Sequence, residues 1–500
     1  MFSLANDEIV RTHCGVNRLR DTALLRKNGY IGGRWVSGAL TFDVHDPASG
    51  RPIASVASLG PREAGDAIYA AESSLRAWKA RPAQQRSRIL HAWFDLVTLA
   101  REDLALILTL EQGKPLSESL GEIDYAASFI EWYAEEGKRL NVESVTSHLP
   151  GTEMVVRREA IGVAALLTPW NFPSAMLARK AAAALAAGCT VVCHPSSQAP
   201  LSTLALAELA DRAGVPAGVF NVVTGMSEPI VNTFCDDPRV RIVSFTGSTQ
   251  IGRKIAARCA STMKRLVMEL GGHAPLIVFD DAGIERAIAI AMAAKFTTSG
   301  QDCLAANRIY VQRNIYAAFC AAFAERIAAL KVGNGLDEGV QVGPLIHNAA
   351  VAKARAHLAD ALRRGARCLT GGESGTNGLF VQPALLVDVP DDALVMIEET
   401  FAPIAAVTPF DTEEEVIARA NATEYGLVAY VVTDNFARAL RLGRNLEYGM
   451  VAVNRARITG APVPFGGIKQ SGLGREGSRH GLEAFTEIKY LCLDFAWTDS

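Results

Sequence analysis

The chain has 500 residues, 49% hydrophobic and 21% charged, with 50 Lys and Arg against 53 Asp and Glu, for a formal net charge of −3. That length exceeds one ordinary domain and leaves room for two or three, each with a sizeable core. The composition excludes long disorder, and the near-neutral balance removes the electrostatic reason to expect nucleic acid or an acidic membrane surface as a partner.

Residues 1–60 are mixed, with turn signals at Asn28-Gly29, Gly32-Gly33 and Asp46-Pro47. The opening residues lack the basic and apolar regions of a secretory signal, no apolar run is long enough for a bilayer, and the nine cysteines are odd in number. These features lead to the expectation of a cytoplasmic protein with reduced thiols. Segments 64–79, 83–101 and 116–139 carry apolar residues three and four apart and predict helices. Residues 141–160 read as extended chain. From Ile161, strands alternate with helices: strand 161–168, helix 174–187 closed by Gly188, strand 190–193, helix 202–213, strands 219–223 and 242–245, helix 250–259, strand 266–270. A second alternating block, from Pro275 to about Val453, contains strand 276–279, helix 284–296, strand 308–311 and helix 316–329. Residues 481–493 read as a terminal strand able, together with 141–160, to pair across a subunit contact. The alternation predicts an α/β fold of doubly wound parallel sheets, with ligands at the carboxyl ends of the strands.

Several loops carry residue types suited to chemistry. Thr168-Pro169-Trp170-Asn171-Phe172-Pro173 ends a strand. Its prolines stiffen it, and Asn171 can offer an amide N–H to a developing oxyanion or bond its own backbone in a turn. Phe245-Thr246-Gly247-Ser248-Thr249-Gln250-Ile251-Gly252 leads a strand into a helix whose free N–H groups suit a phosphate. Its glycine spacing departs from the usual dinucleotide fingerprint. Glu269-Leu270-Gly271-Gly272 puts a carboxylate at a strand's ligand end, where it is either a desolvated general base or a solvated terminus. Ser299-Gly300-Gln301-Asp302-Cys303 offers a loop thiol, either a nucleophile or a small buried residue. Cys189-x-x-x-Cys193-His194 lacks a second ligand pair, so no metal is expected. In Glu398-Glu399-Thr400-Phe401-Ala402-Pro403, carboxylates beside an aromatic can hold a ribose and wall a flat ring. The Gly-rich run 464–476 can line a channel.

Together these motifs, with Pro464-Phe465-Gly466-Gly467-Ile468-Lys469-Gln470-Ser471-Gly472, resemble the aldehyde dehydrogenase superfamily over about residues 30–491. Within it the chain looks most like bacterial succinate-semialdehyde dehydrogenases. The resemblance implies an NAD(P)-binding domain (1–140 and 160–270), a catalytic domain (271–453) and a small β oligomerisation element (141–159 and 481–500) of a homodimer or homotetramer. It implies that Cys303 attacks the aldehyde carbon, that Asn171 and the Cys303 N–H stabilise the oxyanion, and that Glu269 activates the deacylating water. Lys180 and Glu476 match positions implicated in proton relay or in ordering that water. Glu399 and Phe401 match nicotinamide-ribose contacts, and Ser248 matches a pyrophosphate contact that Gly247 lets approach. Thr168, Trp170, His194, Ser197, Gly225, Phe245 and Leu270 complete the implied cofactor path. Arg179, Phe172 and Phe465 fall on the substrate side.

The chain departs from the family pattern in five places. His194 stands where a Lys is usual, and Ser197 where NAD-preferring relatives often carry Glu, so the implied cofactor is NAD or NADP without a fixed preference. Semialdehyde enzymes hold a distal carboxylate with two arginines and a serine. Arg179 matches the first arginine, or is a plain helix-surface charge. Thr297 replaces the second, and the serine is replaced within Thr459-Gly460-Ala461-Pro462. Ala305 stands where some relatives carry a second, redox-active Cys. The expected reaction is oxidation of an aldehyde to its acid, with succinate semialdehyde as the substrate. The alternatives are another ω-semialdehyde, an uncharged aldehyde, CoA-acylating chemistry, or a non-catalytic protein keeping the fold.

Overall fold

The computed structural model describes residues 15–372 and 378–494; the opening residues, Cys14 and residues 495–500 of the expected terminal element lie outside them. The alternation from residue 161 builds an eight-stranded sheet. Its order is Gly472–Leu473, Arg265–Glu269, Val240–Thr246, Val163–Thr168, Thr190–Pro195, Phe220–Val222, Gly29–Ile31, Arg34–Val36. The central strands are parallel, and Val163–Thr168 and Thr190–Pro195 are buried at every residue, as expected for strands covered on both faces. The sheet is not parallel throughout. Gly29–Ile31 and Arg34–Val36 form a hairpin through Gly32-Gly33, and Gly472–Leu473 joins antiparallel to Arg265–Glu269.

The second block forms a seven-stranded sheet in the order Arg367–Thr370, Ala384–Val387, Ile404–Phe410, Ala306–Gln312, Ala274–Val278, Val428–Val432, Met450–Val453, with only the first strand antiparallel. The chain therefore has an α/β fold of two largely parallel sheets with a small β element, the layout that the resemblance implies.

Helix Pro173–Ala187 opens on a proline at its first turn and closes on Gly188 at φ 96°. All of its residues are buried, because its alanines allow close packing against Leu116–Glu136. The helix expected over 83–101 ends earlier. Ala100 interrupts it, and Arg101–Gln112 follows as a separate helix. Residues 104–112 are buried without a polar stripe, which erased the periodicity that would have marked this helix. Helices Ser227–Asp236, Asn348–Arg363, Glu413–Asn421 and Phe436–Asn445 were also not foreseen.

The terminal expectation needs one correction. Residues 481–484 belong to helix Ser478–Ala484, whose Leu482 is buried, and the strand is Thr486–Asp494. That strand pairs antiparallel with Thr152–Ala160, which in turn pairs with Glu143–Val145.

Candidate active site

The carboxyl ends of the first sheet are in register. Thr246 pairs with Glu269, Phe245 with Leu167, and Leu167 with His194, so the loops that follow leave from one edge. The nucleophile candidate reaches that edge from the second sheet, on the loop between helix Ile284–Phe296 and strand Ala306–Gln312. Close backbone approach explains the glycines there. A Cβ on Gly272 would lie 2.3 Å from the Cys303 carbonyl oxygen, and one on Gly300 (φ 71°) would lie 2.4 Å from that of Ala402.

A cavity of about 370 Å³ opens between the two sheets. Cys303, Glu269 and Asn171 all line it, with Trp170, Phe172, Gly247, Ser248, Leu270, Glu399 and Phe401. Asn171 is buried, and its Nδ2 donates to the Gln301 carbonyl at 3.0 Å, tying the Pro-Trp-Asn-Phe-Pro loop to the cysteine loop. One amide N–H thus remains beyond that bond. Cys303 is partly exposed. Burial pushes its thiol well above the usual range, Asp302 and Glu399 add to that, and Arg179 opposes it.

Glu269 is 2% exposed, and neither carboxyl oxygen has a hydrogen-bond partner among the described residues. Burial, then the nearby Glu476 charge, push its pKa well above the carboxylate range, against Arg179 and Lys180. Behind it lies a buried charge cluster. Lys180 Nζ donates to Ser244 Oγ at 3.0 Å and to Glu476. Arg179 Nε lies 2.6 Å from Glu476 Oε2, in contact but not aligned for a hydrogen bond. Burial pushes Glu476 up, yet Lys180 and Arg179 outweigh it and hold the carboxyl below its ordinary value.

Arg179 is therefore not a surface charge. Its side chain is fully buried, its guanidinium stacks 4.1 Å from the Phe465 ring centroid, and its Nη2 contacts Met176, which lines the cavity. Arg179, Lys180, Glu476 and Phe465 form a layer behind the cavity and do not line it. Thr297 is partly exposed and bonds the Ala293 carbonyl.

On the other side, Trp170 meets Phe401 edge-on with centroids 5.6 Å apart, and His347 lies 6.3 Å from Trp170. Glu399 Oε1 accepts from the Gly272 N–H at 2.9 Å, and burial pushes Glu399 up to about 7. Ser248 caps helix Thr249–Cys259 and is exposed at its N-terminus. Such donors, an acidic group and aromatic walls fit a dinucleotide. Phe245 packs behind Gly247, while Thr168, His194, Ser197 and Gly225 continue along the neighbouring strand ends without lining this cavity. His194 carries no charge for a ligand. Burial pushes it down to about 4, and its nitrogens contact the Val223 carbonyl and Ser227 Oγ.

Sequence reasoning gave no role to His347, Ala349, Ala350, Lys353 or Met176, all of which line the cavity. The alanine-rich run after His347-Asn348, capped by His347 accepting from Ala350 N–H, was the available signal. A larger open space of about 570 Å³ lies against the terminal strand near Arg158, Arg265 and His480, and it holds none of the candidate residues.

Residues 35–491 match the aldehyde dehydrogenase family. The chain belongs to that family. It is 50% identical to the succinate-semialdehyde dehydrogenase (NADP(+)) of Escherichia coli strain K12, over 95% of this chain and 99% of that one. It is 51% identical to the non-phosphorylating aspartate-semialdehyde dehydrogenase of Halomonas elongata, over 95% and 97%. Among solved structures, an NADP-dependent enzyme of E. coli superposes with a TM-score of 0.95 at 50% identity, covering 96% of this chain and 100% of that one.

Proposed function

We propose that this protein oxidises a short aldehyde bearing a distal carboxylate, of the succinate-semialdehyde type, to the corresponding acid, with NAD+ or NADP+ as acceptor. The observation that carries this reading is one cavity lined at once by a thiol, an amide donor and an unpartnered carboxyl: Cys303, Asn171 and Glu269.

Cys303 Sγ, once ionised, attacks the aldehyde carbon and forms a hemithioacetal. The Asn171 amide and the Cys303 backbone N–H share the charge on the carbonyl oxygen, which exists only after attack, so they favour the transition state over the bound aldehyde. Glu399 and the Trp170 and Phe401 rings would hold a dinucleotide, which would supply the hydride acceptor. Loss of hydride leaves a thioester on Cys303. Glu269 then takes a proton from the attacking water. Its carboxyl, pushed well above the carboxylate range by burial, is suited to that transfer. Lys180 and Glu476 lie behind Glu269 as a path for that proton.

The substrate class rests on charge. Two cationic groups, Arg179 and Lys180, flank the Glu476 carboxyl behind the cavity wall, in a region of low dielectric where their field reaches far. Both curated relatives described above are named for aldehydes that carry a carboxylate. A steady-state screen of aldehydes matched in length but differing in terminal charge, run with both cofactors, tests the reading. Succinate or glutarate semialdehyde should lead in kcat/KM, and a preference for uncharged aldehydes would overturn the substrate assignment.

A further inference from the structure

The oxyanion donor and the nucleophile come from different sheets, so something must hold them at a fixed spacing. One short stretch touches both. Lys114, just before helix Leu116–Glu136, is buried, and its Nζ donates to the Asn171 backbone carbonyl at 2.6 Å and to Glu122 Oε2 at 2.7 Å. The ammonium also sits 3.9 Å from the Phe172 ring centroid. Glu122 Oε1 accepts from the Ser174 and Ala175 N–H groups at 3.0 and 3.2 Å, fixing the first turn of the helix that follows Asn171. Four residues before Glu122, on the same helix face, Glu118 Oε2 accepts from the Thr298 N–H at 2.8 Å. Thr298 and Ser299 are non-glycine residues at φ 52° and 58°, a conformation that needs holding. The loop they begin ends at Cys303, and Asn171 Nδ2 grips it at the Gln301 carbonyl.

We propose that Lys114, Glu118 and Glu122 are positioning residues that set the spacing between the Asn171 amide and Cys303. Lys114 and Glu122 hold the donor loop, and Glu118 holds the nucleophile loop. None of the three touches the reacting atoms. Misplacing a catalytic group by about 1 Å can cost roughly 10²-fold, and removing an oxyanion donor costs about 10²–10³-fold. The inference rests on the roles given above to Asn171 and Cys303.

The test compares two reactions of Cys303 in the full-length protein. Alkylation by iodoacetamide creates no oxyanion. Hydrolysis of p-nitrophenyl acetate, like aldehyde oxidation, does. Lys114→Met should lower kcat for oxidation and for ester hydrolysis together by about 10- to 100-fold. The alkylation rate and the KM for the dinucleotide should stay within about twofold, and Lys114→Arg should restore part of the loss. Glu118→Ala should change alkylation and turnover alike. If Lys114→Met does not fold, Glu122→Gln, which keeps an acceptor for the two helix N–H groups, must show the same split. Unchanged turnover, or equal losses in alkylation and turnover for the Lys114 or Glu122 variant, overturns the proposal. Asn171→Ala is the reference. If it keeps full turnover, the oxyanion reading itself fails; if it loses turnover while Lys114→Met does not, only the positioning role fails.

Discussion

Replacing Glu269 with Gln separates chemistry from folding. Neither carboxyl oxygen has a hydrogen-bond partner among the described residues, so the isosteric amide forfeits no bond, and it removes the repulsion from Glu476. Stability should therefore change by about 1 kcal/mol or less, the worth of a single hydrogen bond. Catalysis should change far more. A general base contributes about 10²–10⁴-fold, which at about 1.4 kcal/mol per tenfold corresponds to roughly 2.7–5.4 kcal/mol of transition-state stabilisation. The loss falls after hydride transfer, because the base acts on the water that attacks the thioester. Stopped-flow absorbance of reduced cofactor should show a burst of near wild-type rate, stoichiometric with active sites, followed by a steady state slowed by the stated factor. A steady-state rate within tenfold of wild type would refute the base assignment. Loss of the burst together with kcat would move Glu269 to a step before hydride transfer.

Further outcomes follow from the same geometry. The reactive form of Cys303 is the thiolate, and burial raises the thiol pKa, so kcat/KM should climb with pH across about 6.5–8.5, close to tenfold per unit. A profile flat down to pH 6 contradicts this. Arg179→Leu should cost succinate semialdehyde at least about tenfold more in kcat/KM than hexanal, with Arg179→Lys as a milder version that keeps a charge beside Glu476. Equal losses would leave Arg179 only its partnership with Glu476. His194 is buried and neutral and Ser197 brings no carboxylate, so both NAD+ and NADP+ should work, their kcat/KM values within about a thousandfold, or roughly 4 kcal/mol. Greater discrimination in either direction would point to a 2′-phosphate contact elsewhere.

The alternating pattern was legible because central strands such as Val163–Thr168 and Thr190–Pro195 are short, mostly apolar runs buried at every residue. The motifs were legible because each loop at the sheet edge has its own short-range signature. Arg179 was harder to read. Its charge suggested a helix surface, and only packing shows that Glu476, nearly 300 residues away in sequence, and the Phe465 ring enclose it. Lys114 was hidden in the same way, because its partner Asn171 lies 57 residues further on and is joined to it only by tertiary contact. Helix Asn348–Arg363 supplies Lys353 to the cavity, where Nζ donates to the Glu399 carbonyl, with only an alanine-rich run to mark it. Local spacing thus reveals loops that meet a ligand, while residues that act through long-range pairing have no local pattern to betray them.

The most direct measurement is peptide-mapping mass spectrometry of the Glu269→Gln protein mixed with succinate semialdehyde and oxidised cofactor, since slowed deacylation should let the acyl-enzyme accumulate. The account predicts an acyl group on the peptide containing Cys303, absent when the cofactor is omitted and absent in a Cys303→Ala background. An adduct on another residue, or oxidation that continues at wild-type speed without Cys303, would contradict it.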